Sequence, residues 1–148
     1  MSKRCLECNA KCCRYFCLEI DKPETFDDFE NIRWYMLHEK VTAHIDDEGD
    51  WCLLIDNLCK MLVETPAGAR CKDYANRPMI CRRFDPDDCE FTHGRWDYEE
   101  LFSTPDQIDA YARRMLGEPA YERGRARMLA MERDGRRPAR RAARTGAR

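Results

Sequence analysis

Long apolar stretches are missing from this chain. No run approaches the roughly 18 residues of a membrane-spanning helix, so membrane association is not expected. The start, MSKRCLECNAKCC, carries no apolar run behind its basic residues, so a secretory leader is not expected either. There is no glycine-rich nucleotide loop of the GxGxxG kind, no CxxxCxxC run of the radical type and no internal repeat. No Ser/His/Asp set or carboxylate pair rises above the surface charge, so the chain is read as non-enzymatic and no residue as catalytic. Histidine is scarce, three in 148 residues, and His38, His44 and His93 are secondary candidates for any ligand role.

What the chain has in excess is cysteine: ten in all, five of them within CLECNAKCCRYFC, residues 5 to 17. Thiols at that density serve as disulfide staples, metal ligands or a redox relay. A chain that is not exported is expected in the reducing cytoplasm, where structural disulfides are rare. A relay through Cys5 and Cys8 lacks the βαβ context of thioredoxin-like proteins. Metal binding is the reading that remains. Cys5, Cys8, Cys12 and Cys13 form a first group, and the two-residue gap between Cys5 and Cys8 lets both sulfurs reach one ion. The adjacent Cys12 and Cys13 point in different directions, which suits two metal centres or one ligand beside a packed thiol. Cys59, Cys71, Cys81 and Cys89 form a second, more widely spaced group. Cys52, inside the apolar run WCLLI, reads as a small buried hydrophobe, and Cys17 as either ligand or core thiol.

Charge divides the chain. Residues 119–148 hold ten arginines against three carboxylates, +7, so the overall −2 leaves −9 on residues 1–118. The expected organisation is a cysteine-cluster metal-binding domain over 1–118 and an Arg-rich, largely disordered tail over 119–148, in which ERGRARMLAMERD reads as partly helical and GRRPARRAARTGAR as disordered. An acidic body argues against a nucleic-acid interface on the domain, leaving only weak contact through the tail. The expected partner is a protein of unspecified kind.

Within the body, PETFDDFENIRWYMLHEK reads as a helix capped by Thr25 with Asp28 three residues on, burying Phe26, Phe29, Ile32 and Met36. VTAHI and WCLLI around DDEGD read as a hairpin. STPDQIDAYARRMLG reads as a helix with Thr104 as cap, Gln107 at the capping-box position and Gly117 as its stop, and Ile108, Tyr111, Ala112 and Met115 facing inward. Residues 56–94 read as irregular, broken by TPAG, NRP and DPDD. Such a region cannot offset its ordering entropy, about 1–2 kcal/mol per residue, by burial alone. A structural metal, worth on the order of 10 kcal/mol, can. The fold class is therefore a small α+β or irregular metal-stabilised domain with a few helices, one short hairpin and a loop-rich cysteine region.

In CKDYANRPMICRRFDPDDC, residues 71–89, Arg77 before Pro78 favours an extended corner that swings Cys81 back toward Cys71. Arg77, Arg82 and Arg83 are placed to offset thiolate charge, or to pair with the neighbouring aspartates. Tyr74 and Phe84 are expected to pack the corner.

The combination of CxxCxxxCC near the start with C-x-x-Y-x-x-R-P-x-x-C-R-x-F later resembles the YkgJ-type cysteine-cluster family, described as a zinc- or iron-chelating domain and often catalogued as iron–sulfur-cluster-containing. The resemblance covers about residues 5 to 90, with RWYMLHE and CRRFDPDDCE also family-like. Some domains of this type look similar to those in flagellin lysine methylases. The resemblance implies Cys5, Cys8, Cys12, Cys13, Cys59, Cys71, Cys81 and Cys89 as metal ligands, and gives Cys17 and Cys52 no clear place. LVETPAGAR departs from the pattern as an insertion that lengthens a loop without removing a ligand. Two functions follow: an iron–sulfur protein serving electron transfer or as a cofactor carrier, or a structural zinc module acting through partner binding.

Overall fold

The computed structural model describes residues 10–84 and 98–134. Among them the chain runs β1 (Phe16–Ile20), α1 (Phe26–Met36), β2 (Val41–Asp46), β3 (Trp51–Ile55), β4 (Leu62–Thr65), β5 (Gly68–Cys71), α2 (Met79–Arg83), β6 (Tyr98–Phe102), α3 (Pro105–Leu116) and α4 (Glu118–Asp134). This is a small α+β fold. One sheet has the order β1-β3-β2-β6, antiparallel throughout, and β4 and β5 form a separate hairpin.

Local chemistry places the long elements where the sequence expects them. At α1 the Asp28 amide donates to Thr25 Oγ1 at 3.3 Å while the Thr25 amide donates to Asp28 Oδ2 at 2.9 Å, a reciprocal cap that satisfies two orphan helix-end donors. At α3 Gln107 Oε1 accepts from the amides of Ser103 and Thr104 at 2.6 and 3.1 Å, and Pro105 fills the first turn. The β2–β3 turn closes on Asp46, whose Oδ1 accepts from the amides of Glu48 and Asp50 at 3.0 and 2.9 Å.

Strand alternation gives the sheet two faces. Ala43, Ile45, Trp51, Leu53 and Phe102 share one, and on it sit Phe26, Phe29, Ile32 and Met36 of α1, Ile108 and Ala112 of α3, and Tyr121 of α4. Trp51 stacks on Phe102 at 5.5 Å with rings 8° apart, and Tyr111 meets both edge-on. The opposite face carries Cys17, Glu19, Cys52, Leu54, His44 and Leu101.

Several expectations change. Met115 is 55% exposed, so the inward face of α3 is Ile108, Ala112 and a partly buried Tyr111. Residues 118–134 are one continuous helix, extending the partial helix read over ERGRARMLAMERD, and it packs on the core: Tyr121 is 4% exposed, edge-on to Phe26 at 5.2 Å, with Arg113 over its ring at 3.9 Å. Gly124 allows that approach, because any Cβ there would meet the Phe26 side chain. The remainder of the expected tail, 135–148, lies outside the described residues. The expected single hairpin is one of several strand pairings, since β1 and β6 flank it in the sheet. The segment LVETPAGAR is β4 and β5 themselves, with Thr65 Oγ1 donating to the Gly68 carbonyl at 2.8 Å across the turn.

The fold positions the cysteine region by its topology. β1 begins, β2 begins and β3 ends at the same end of the sheet, where Phe16 and Val41 both face Ile55. The chain enters β1 from Cys12 and Cys13 and leaves β3 toward Cys59 there, and the Asp56 amide donates to the Lys40 carbonyl at 2.9 Å as it departs.

Candidate metal centre

Cys12 and Cys13 lie in a single 3-10 turn, Lys11–Cys13, closed by the Cys13 amide on the Ala10 carbonyl at 2.9 Å. The Cys59 amide donates to the Cys13 carbonyl at 2.8 Å, which ties the two cysteine groups together through backbone. Around Cys59 the chain turns tightly. The Met61 amide reaches Cys59 Sγ at 3.4 Å and the Leu62 amide reaches the Cys59 carbonyl at 3.0 Å. The β4–β5 hairpin then brings Cys71 opposite Leu62, three residues from Cys59, and the Lys72 amide closes its base on the Met61 carbonyl at 2.8 Å. Arg14 Nη2 pairs with Glu64 Oε1 at 2.6 Å, holding the Cys12–Cys13 turn against β4.

Cys81 arrives from the other side of the corner, on α2. Arg77 and Arg82 build that corner. Arg77 lies 3.8 Å over the Tyr74 ring and donates to the Tyr74 carbonyl at 3.0 Å. Arg82 Nε donates to the Arg77 carbonyl at 3.1 Å, and its Nη2 to the Ala75 carbonyl. Their guanidinium groups thus hold the backbone that presents Cys81, a more structural part than offsetting thiolate charge. Tyr74 and Phe84 remain 38% and 40% exposed, so the expected aromatic packing of the corner is partial.

These thiols feel one another. Burial pushes the Cys13 thiol up, a hydrogen bond with Cys12 draws it down, and negative charge on Cys59, Cys71 and Cys81 raises it further. Cys12, Cys13, Cys59, Cys71 and Cys81 therefore share one neighbourhood. An all-sulfur donor set of this kind is what a thiophilic metal takes. Among the described residues no three Cys, His, Asp or Glu side chains converge closely enough to enclose one ion. Cys5, Cys8 and Cys89, three of the eight expected ligands, lie outside the described residues, as does His93.

The two cysteines without an expected ligand role sit apart. Cys17 and Cys52 are on the sheet, on the face away from the helices. Burial, then Asp46, Glu19 and Asp50, pushes the Cys52 thiol up, which keeps it protonated and suits a packed side chain. His44, directly across from Cys52, is 8% exposed, and its burial lowers the imidazole pKa although Asp46 opposes the shift. His38 is occupied at the end of α1, its Nδ1 lying 3.1 and 3.2 Å from the Trp34 and Tyr35 carbonyls. All seven described cysteines are free thiols. No helix among the described residues is long and apolar enough to cross a membrane.

One pattern escaped the sequence reading. Four of the eight candidate ligands, Cys13, Cys59, Cys71 and Cys81, are each followed at once by a cation, Arg14, Lys60, Lys72 and Arg82, while Cys5, Cys8 and Cys89 are followed by Leu6, Asn9 and Glu90.

No curated protein and no solved structure matches the chain. A family model does match, over residues 4–102, about two-thirds of the chain, and its description is "CxxCxxCC: Putative zinc- or iron-chelating domain". That span takes in all ten cysteines and reaches from the first of them to the last strand of the sheet. With a family model running across two-thirds of its length, the chain belongs to the CxxCxxCC family of zinc- or iron-chelating domains.

Proposed function

We propose that this protein holds an iron–sulfur cluster through thiolates drawn from Cys5, Cys8, Cys12, Cys13, Cys59, Cys71, Cys81 and Cys89, and that it serves electron transfer or cluster supply to a protein partner. The observation that carries this reading is the 2.8 Å bond from the Cys59 amide to the Cys13 carbonyl, which joins the two cysteine groups, together with an all-sulfur set of eight candidates, more than one tetrahedral ion uses. A bound cluster supplies one-electron carriage. The chain's own residues position the thiols: the Arg14–Glu64 pair and the Cys59–Cys13 backbone bond join the two cysteine groups, and Arg77 and Arg82 brace the corner behind Cys81. The free thiols fit a reducing compartment, which we take to be the cytoplasm. Nucleic acid would meet this chain only weakly, through the Arg-rich segment 119–148.

A second reading, structural zinc, draws on a different observation. None of residues 56–84 is buried, so this stretch contributes no side chain to the hydrophobic core and needs another source of order. A zinc ion on four of the thiolates would supply it, and function would then lie wholly in partner binding.

Either metal gives the same mutational test. Cys13→Ser and Cys81→Ser should each lower bound metal and expose residues 56–84 to protease, while Cys52→Ala should leave both unchanged. Full metal content with unaltered protease resistance in both serine variants would overturn the ligand assignment.

A further inference from the structure

The two edges of the four-stranded sheet are built differently. β6, at one edge, is protected against further pairing. Glu99 and Glu100 stand in it, Glu100 is tied to Arg114 at 3.0 Å, and its pairing with β2 shifts register between Ile45 and Asp46. β1, at the other edge, has none of these devices. Its sequence FCLEI contains no lysine and no proline, pairs with β3 over all five residues without a shift, and carries one charge, Glu19. Among the described residues β1 pairs with β3 alone. Phe16 and Leu18 lie opposite Ile55 and Leu53, on the side of the sheet that the helices cover. They are nonetheless 44% and 49% exposed, against 3% for Leu53. The helix layer thus closes over β3 and leaves β1 half open, with apolar side chains along an unprotected edge.

We propose that β1 is a dimer interface: it pairs antiparallel with β1 of a second copy about a two-fold axis at Leu18, joining the two sheets into one of eight strands. The strand's own sequence selects this occupant. Of the two-fold registers, the one centred on Leu18 uses all five residues. It sets Phe16 opposite Ile20 of the second copy, Leu18 opposite Leu18 and Ile20 opposite Phe16, an apolar ladder on the helix side. On the other side Cys17 meets Glu19 of the second copy and Glu19 meets Cys17, so the one charge does not directly face its own kind. A register centred on Glu19 would set two carboxylates opposite each other and pair only three residues of the strand. Main-chain pairing along the edge supplies attachment, and the apolar ladder fixes register. The same patch serves both copies, so association closes at the dimer. Because the chain enters β1 from Cys12 and Cys13, antiparallel pairing sends the two cysteine regions to opposite ends of the joined strands. The interface uses none of the eight candidate ligands, so it stands apart from the metal reading.

Sedimentation of the full chain over a range of concentrations tests this, with a thiol reductant present so that intermolecular disulfides do not count. A species of twice the 17.5 kDa monomer should grow in with concentration, and no larger species should follow. Leu18→Lys and Leu18→Glu should each weaken association about tenfold, because each sets two like charges face to face at the axis. Leu18 is half exposed, so both variants should keep the fold, which far-UV circular dichroism checks. Mixed in equal amounts, the two variants should dimerise again, since lysine then faces glutamate. That recovery requires a contact in which Leu18 meets Leu18. If either variant does not fold, Phe16→Lys takes its place and should weaken the dimer in the same direction. A wild-type chain that stays monomeric overturns the proposal and leaves the edge to a strand of another protein. An open series of larger species, a dimer indifferent to these substitutions, or folded Leu18 variants that do not recover on mixing also overturns it.

Discussion

Replacing Gly124 by alanine tests whether the Arg-rich C-terminal segment is part of the fold. A Cβ at Gly124 would lie 2.4 Å from Phe26 Cγ, 2.6 Å from Phe26 Cβ and 2.9 Å from Cδ1, well inside the roughly 3.5–4 Å at which carbons rest. Phe26 cannot retreat: it is 6% exposed and its ring is held edge-on by Tyr121 at 5.2 Å. α4 must therefore lift by about 1 Å, loosening Tyr121 as well. Overpacking of this kind costs about 1–3 kcal/mol. Alanine recovers about 1 kcal/mol of helix propensity over glycine. Because the clash involves a Cβ and a ring in the core, the upper end of the cost applies and the net loss should be about 2 kcal/mol, or roughly 4–8 °C in Tm. Urea unfolding followed by far-UV circular dichroism measures it. A variant that is about 1 kcal/mol more stable, as at an exposed helical glycine, would show that α4 does not pack on α1 and would refute the packing argument.

Two further predictions concern pH. Tyr121 is pushed from the usual 10 up to about 12, first by burial and then by its hydrogen bond to Asp109, so folding favours the neutral phenol. That stability is complete below pH 10 and is lost as pH rises toward 12; Tyr121→Phe should flatten this alkaline limb in denaturant titrations at successive pH values, and an unchanged limb would count against the assignment. His44 has the opposite sense: burial lowers its pKa, so folding favours the neutral imidazole, and stability is lost as pH falls through the ordinary 6.5 toward the lower folded value. His44→Leu should reduce the difference in stability between pH 7 and pH 5, measured against wild type in the same buffers. An equal acid loss in both proteins would place the effect elsewhere.

The elements that were legible in the sequence are those whose own chemistry defines them. α1 and α3 announce themselves by Thr-x-x-Asp and Thr-x-x-Gln caps followed by apolar residues at helical spacing, and β2–β3 by two apolar runs around an Asp/Gly turn. The missed strands depend on their neighbours. β1, FCLEI, is an edge strand whose side chains stay largely exposed, and β6, YEELF, carries paired glutamates that hide its alternation. In β4–β5 the TPAG turn ended the reading as a loop, although Pro66 and Ala67 connect paired strands. α4 was legible only in part, as a partial helix over ERGRARMLAMERD, and its packing was not legible at all. Its inward face is Tyr121, Gly124 and Met128, so a glycine chosen for close approach stands where periodicity looks for an apolar residue.

The site divided in the same way. Cysteine spacing separated the clustered thiols from Cys52, because a lone cysteine in an apolar run has an evident packing role. The parts of Arg77 and Arg82 were not legible, because a guanidinium can serve a sulfur, a carboxylate or a carbonyl, and only the path of the backbone at residues 74–82 selects the carbonyls.

The central claim is that clustered thiolates hold metal, with iron–sulfur as the species. It is tested most directly by a UV–visible spectrum with iron, acid-labile sulfide and zinc analysis on protein purified without oxygen. The account expects a brown protein with matched iron and sulfide, bleached on reduction, and loss of both in Cys81→Ser. A colourless protein with stoichiometric zinc would contradict the cluster and leave the zinc scaffold standing. A protein with neither iron nor zinc, and with residues 56–84 nonetheless resistant to protease, would contradict the account at its root.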